Sequence, residues 1–106
     1  MGANRGARTV LASATGAGTS SEVLVPEGRS ATFVLGDRGD LAAETGDVQI
    51  KHPFDDTWDD LYLGGTQQQL SATNNAVTVY GPGRYRVNCT ARTAAFGVAV
   101  YLDPDT

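Results

Sequence analysis

Apolar residues recur at every second position along much of this chain, which is the period of a half-buried β-strand. The clearest stretch runs from Asn74 to Leu102. After the Asn74-Asn75 turn signal, Ala76–Tyr80 alternates with Val77 and Val79 on one side. Gly81-Pro82-Gly83 reads as a loop whose glycines supply positive φ and whose proline fixes it. Arg84–Cys89 then returns with Tyr85, Val87 and Cys89 on the apolar side, and with Arg84, Arg86 and Asn88 opposite. Past a link at Thr90–Thr93, Phe96, Val98, Val100 and Leu102 line one side of a third strand. Its other side is small, with Ala95, Gly97 and Ala99. The pattern predicts a three-stranded antiparallel meander on which the rest of the chain packs.

Upstream, Glu22–Val25 reads as a short strand ended by Pro26, and Ser30–Leu35 places Ala31, Phe33 and Leu35 on one face. Gly36–Gly46 reads as loop. Asp47–Lys51 points Val48 and Ile50 inward, and Pro53 with Asp55-Asp56 ends it. Trp58–Leu63 puts Leu61 and Leu63 on one side, and Gly64-Gly65 turns the chain into Thr66–Ala72, where Gln68 and Leu70 share a face. About eight strands at spacings of roughly 8–12 residues, with no helix-period segment, predict an all-β fold. Two sheets are needed to cover both sets of apolar faces, so the expected architecture is an antiparallel β-sandwich, jelly-roll-like. The expected domains are an extended N-terminal arm at 1–21, rich in Gly, Ala, Ser and Thr, and a single sandwich at 22–106. Within the arm only Thr9-Val10-Leu11-Ala12 reads as a short strand, and we expect the arm to lie on a partner, with Val10 and Leu11 as contacts.

Composition narrows the function. Twelve acidic residues against seven Arg and one Lys give a net charge of -4, which argues against duplex DNA or an anionic membrane as the main partner. No apolar run approaches the ~20 residues of a membrane span, and no signal-peptide core is present near Met1. The expectation is a soluble chain that is not exported by that route. The single cysteine, Cys89, cannot form an internal disulfide and reads as a small core residue.

The sharpest local feature is Asp55-Asp56-Thr57-Trp58-Asp59-Asp60. Its carboxylates suit a hard cation, but the spacing is not that of an EF-hand loop, and ligands would have to come from elsewhere, such as Asp37 or Asp40. A solvated acidic loop is the simpler reading. A third reading is an electrostatic contact for a basic partner surface, with Trp58 as an anchor and Tyr62 beside it. The expected partner-interface positions are therefore Val10, Leu11, Asp55, Asp56, Trp58, Asp59, Asp60 and Tyr62. Arg38-Gly39-Asp40 reads as a tight polar turn rather than an adhesion motif. His52 is the only histidine and has no nucleophile elbow around it, and no phosphate loop is present. These readings point away from an enzyme, a cofactor and a metal. Trp58, Tyr62, Tyr80 and Tyr85 are the candidates for a sugar-stacking platform.

The run from Gln69 to Val87 resembles the C-terminal half of small virion proteins of tailed bacteriophages, and Thr93–Leu102 resembles their last strand. The resemblance covers about the last third of the chain. It implies a capsid decoration (cement) protein, often a jelly roll, on the outer surface of the virion and assembled in the host cytoplasm. The implied partners are the major capsid protein and further copies of the chain, as a dimer or trimer. The function expected is to bridge and stabilise neighbouring capsid subunits. The alternative is a glycan- or host-surface-binding module of a phage tail or fibre.

Overall fold

A computed structural model describes residues 7–35, 45–71, 73–92 and 95–103. The described chain is all-β and forms an antiparallel sandwich. The strands are β1 (Ala7–Ala14), β2 (Gly18–Thr19), β3 (Val23–Val25), β4 (Ser30–Leu35), β5 (Gly46–Lys51) and β6 (Trp58–Asp60), followed by β7 (Tyr62–Leu63), β8 (Thr66–Gln67), β9 (Gln69–Leu70), β10 (Ala76–Tyr80), β11 (Gly83–Cys89) and β12 (Phe96–Asp103). One sheet has the order β1-β12-β4-β10. The other has the order β2-β11-β5-β6, with β3 also on β11 and β9 also on β5.

The alternation read from the sequence is what builds the core. Phe33, Val79, Phe96, Val98 and Val100 from the first sheet meet Val25, Val48, Leu70, Val87 and Cys89 from the second, all buried. Each fully buried side chain of this kind stabilises the fold by about 1.5–3 kcal/mol relative to exposure.

The expected meander is not formed. β10 pairs with β4 in one sheet, β11 with β5 and β3 in the other, and β12 returns to the first sheet between β4 and β1. Val77 and Val79 do share a buried interior with Tyr85, Val87 and Cys89, but they face them across the sandwich. Alternation fixes which side chains point inward; it does not distinguish a neighbour in the sheet from a partner in the opposite one. Gly81 and Gly83 do not supply positive φ either; that conformation falls at Gly16, Gly28, Gly64 and Gly65. Gly81 is needed for close approach, since a Cβ there would lie 1.9 Å from the Pro26 carbonyl oxygen. The Gly81–Pro82 peptide is cis.

The segment expected as an arm belongs to the sandwich from Ala7 onward. β1 is an edge strand on β12 and β2 lies on β11. Arg92, buried, fastens the turn between them. Its Nη1 donates to the carbonyls of Ala12 (3.1 Å) and Phe96 (2.7 Å), and its Nε donates to that of Gly16 (2.9 Å). In return Gly16 N–H donates to the Arg92 carbonyl at 2.7 Å. Among the described residues, carbonyl oxygens rather than a carboxylate satisfy this buried cation.

Candidate functional site

Strands β6 and β9 are two halves of one edge strand on β5, interrupted by a hairpin. Leu61 N–H donates to the Val48 carbonyl (2.9 Å), Val48 N–H to the Gln68 carbonyl (3.0 Å), and Gln68 N–H to the Leu61 carbonyl (2.8 Å). Leu61 and Gln68 therefore sit side by side, and residues 62–67 leave the sheet between them. Tyr62 pairs with Gln67 and Leu63 with Thr66. Gly64 and Gly65 close the ribbon with φ of 61° and 84°, the positive pair that a two-residue hairpin turn demands. This ribbon pairs with neither main sheet. It leaves Tyr62 58% and Leu63 43% exposed. Leu61 and Leu63 thus do not share a side: Leu61 is core, Leu63 is surface.

At the base of the hairpin, a side-chain relay crosses the outer face of the six-stranded sheet. Asp60 accepts from Gln49 Nε2 at 3.0 Å, and Gln49 Oε1 accepts from Arg86 Nε at 2.8 Å. The Arg86 guanidinium lies over the Trp58 ring, 4.3 Å from its centroid, a cation–π arrangement. β-Sheet register puts these residues together, since Gln49 lies between Arg86 and Asp60, and Trp58 is opposite Lys51.

The turn before β6 holds the other two acidic residues. Asp55 accepts from Thr57 Oγ1 (2.7 Å) and Thr57 N–H (3.2 Å). These bonds, the hydroxyl one foremost, lower its pKa below the ordinary carboxylate value, helped by the charge of nearby His52. Asp56, at φ 60°, lies 3.6 Å from Lys51 Nζ. Phe54 at the tip is 90% exposed, with its ring 5.8 Å from that of His52. Next to this turn runs an open groove of about 860 Å³ between Leu24, Lys51, His52, Pro82 and Arg84. Its charges are paired internally: Arg84 with Glu22 and Lys51 with Asp56.

The structure sorts the expected interface positions into three groups. Val10 is buried in the core, and Leu11 is half-buried against it. Asp55 bonds within its own turn and Asp56 lies beside Lys51 of β5, both with exposed side chains. Trp58, Asp59, Asp60 and Tyr62 lie together at the hairpin and its base, with Trp58 half-buried under Arg86. Among the described residues no group of three or more His, Cys, Asp or Glu is arranged to hold a metal ion. Asp37, Asp40 and the Arg38-Gly39-Asp40 turn lie outside the described residues. The sugar-platform rings are dispersed: Tyr85 is buried and donates to the Tyr80 carbonyl, Tyr80 is on the opposite sheet, and Trp58 is capped by Arg86. Sequence reasoning missed Leu63 and Phe54 as exposed apolar groups. The Gly64-Gly65 pair was the available signal for Leu63.

No protein-family model matches the chain, and no curated protein matches it. Among solved structures it is similar to Aeromonas hydrophila PliG, a periplasmic lysozyme inhibitor of g-type lysozyme. The TM-score is 0.53 at 11% identity, over 97% of this chain and 91% of that one. At that identity the likeness is one of fold.

Proposed function

We propose that this chain works by binding another protein, as a virion decoration protein that bridges neighbouring capsid subunits, with the hairpin Tyr62–Gln67 in the contact. The carrying observation is the ribbon itself. It adds nothing to either main sheet, yet it holds a Tyr and a Leu in water. Tyr is among the residues that most often anchor protein interfaces, and a segment already paired as a hairpin loses less entropy on docking than an open loop. Asp59 and Asp60 at its base suit a basic rim on the partner, which steers encounter more than it adds affinity. The jelly-roll connectivity of capsid decoration proteins comes with this reading, as does residence on the outer shell.

Shells of the tailed phage that carries the gene, stripped of accessory proteins, should co-sediment with the purified chain in many copies. Tyr62→Ala with Leu63→Ser should weaken that binding at least about tenfold, the scale of one hot-spot residue, while the melting temperature moves by only a few degrees. If the unaltered chain stays in the supernatant, the capsid reading is lost; if the double variant binds equally well, the hairpin is not the contact.

The fold shared with PliG favours a second reading, inhibition of a lysozyme. A g-type lysozyme assayed with and without the chain decides it. The glycan-binding alternative has less behind it, because the candidate rings form no shared platform.

A further inference from the structure

We propose that the free edge of β10 pairs with β10 of a second copy about a two-fold axis, joining two four-stranded sheets into one. This inference is independent of the capsid reading. In the β4–β10 ladder, Leu35 N–H donates to the Asn75 carbonyl and Gly81 N–H donates to the Arg29 carbonyl. Antiparallel ladders alternate, so Asn75, Val77, Val79 and Gly81 bond toward β4 while Ala76, Thr78 and Tyr80 aim their backbone groups the other way. Among the described residues no strand takes up that side. The Tyr80 carbonyl accepts from the Tyr85 hydroxyl at 2.5 Å, which occupies one lone pair there.

The two edges of this sheet are built differently. β1 has register shifts between Thr9 and Leu11 and again between Leu11 and Ala14, and carries Arg8. Bulges and charge are the devices that keep an edge from pairing. β10 has neither. Its five pairs with β4 run without a shift, and Ala76–Tyr80 is uncharged.

The choice of a second copy rests on self-complementarity. With the axis at Thr78, Ala76 faces Tyr80 of the other copy, Thr78 faces Thr78, and Val77 faces Val79. Tyr80, 64% exposed, would cover the small Ala76 of its neighbour. Up to about six ladder bonds form, and no like charges meet.

Sedimentation analysis of the purified chain should show a dimer, and Thr78→Lys, which sets two ammonium groups against each other at the axis, should weaken it at least tenfold. Thr78→Cys should cross-link copies under mild oxidation, because directly opposed residues of this pair type lie about 5.5 Å apart at Cα, within disulfide reach. Thr9→Cys, on the other edge strand, should not cross-link. A chain that stays monomeric at high concentration and does not cross-link through Thr78→Cys overturns the proposal. So does a dimer indifferent to Thr78→Lys. A monomeric chain whose Thr78→Lys variant instead loses binding to another protein assigns the edge to that protein's strand, and also overturns it.

Discussion

The two sheets share one interior but hold their outer faces by different means. On the six-stranded sheet, polar side chains bond to each other across strands. Asp60, Gln49 and Arg86 form one row with Trp58 beneath the guanidinium, while Asp47 accepts from Gln69 and Asn88 from Thr19. On the four-stranded sheet, the described outward side chains of β4, β10 and β12 carry no charge, and one contact between the Thr32 and Thr78 hydroxyls links two strands. Its outer surface is thin enough at Gly97 for the β1 backbone to lie on it. An alternating pattern commits only the inward half of each strand. The outward half is free to become a charged, cross-braced surface on one sheet and an uncharged one across the described side chains of β4, β10 and β12 of the other.

Glycine substitutions should show the difference between the sheets most strongly. A Cβ on Gly97 would lie 2.4 Å from the Leu11 carbonyl oxygen and 2.9 Å from Ser13 N, both backbone atoms. A Cβ on Gly46 would lie 2.8 Å from a Val87 methyl carbon in the core, a side-chain contact that a small repacking shift relieves more cheaply than a clash with backbone. Gly97→Ala should therefore cost about 2–3 kcal/mol and Gly46→Ala about 1 kcal/mol, on the scale of overpacking. Urea unfolding of both variants measures this. Equal losses would mean that β1 is held no more firmly than a core side chain.

How much of this was legible follows from the same division. Phe33, Val48, Val87 and Val98 are core residues as their alternation predicted. The sheet to which each strand belongs was not legible, because Val79 and Val87 look the same whether they are neighbours or face each other. The N-terminal segment was misread because Gly and Ala carry little hydrophobic signal. What ties it down is backbone pairing with β12 and β11 together with Arg92, whose partners are carbonyl groups that any sequence supplies. At the candidate site, Tyr62 and the acidic base were legible as polar and aromatic residues beside a turn. That residues 62–67 leave the sheet was not, since Leu61 and Leu63 have the spacing of a continuous strand.

A smaller effect tests the cross-bracing itself. A double-mutant cycle of Arg86→Met and Trp58→Leu should give a coupling of about 0.5–1 kcal/mol, the range of a partly exposed cation–π pair. The matching cycle of Thr32→Val and Thr78→Val should fall near or below about 0.5 kcal/mol, toward the low end for cross-strand pairs. Chemical denaturation supplies both numbers. A larger coupling in the threonine pair would reverse the contrast drawn between the two faces.

Alkaline pH separates the sheets by a third route. Burial pushes the Cys89 thiol and the Tyr85 hydroxyl above their ordinary values of 9.0 and 10.0. Both groups are on β11, in the six-stranded sheet, whereas Tyr80 and Tyr101 of the other sheet are exposed. The unfolded chain gives up these protons at the ordinary values while the folded chain still holds them, so the unfolded state binds fewer protons and stability falls as pH rises. Their contribution is fully present below pH 9.0 and is lost progressively as pH rises past 9.0 for Cys89 and 10.0 for Tyr85. Denaturation midpoints should hold between pH 7 and 8.5 and then drop. Tyr85→Phe lowers stability at neutral pH by about 1 kcal/mol through its lost bond to the Tyr80 carbonyl, but it should flatten the steeper part of the drop above pH 10. Cys89→Ala should flatten the part nearer pH 9. If both variants keep the slope of the unaltered chain, neither buried group of β11 is the source of the alkaline loss.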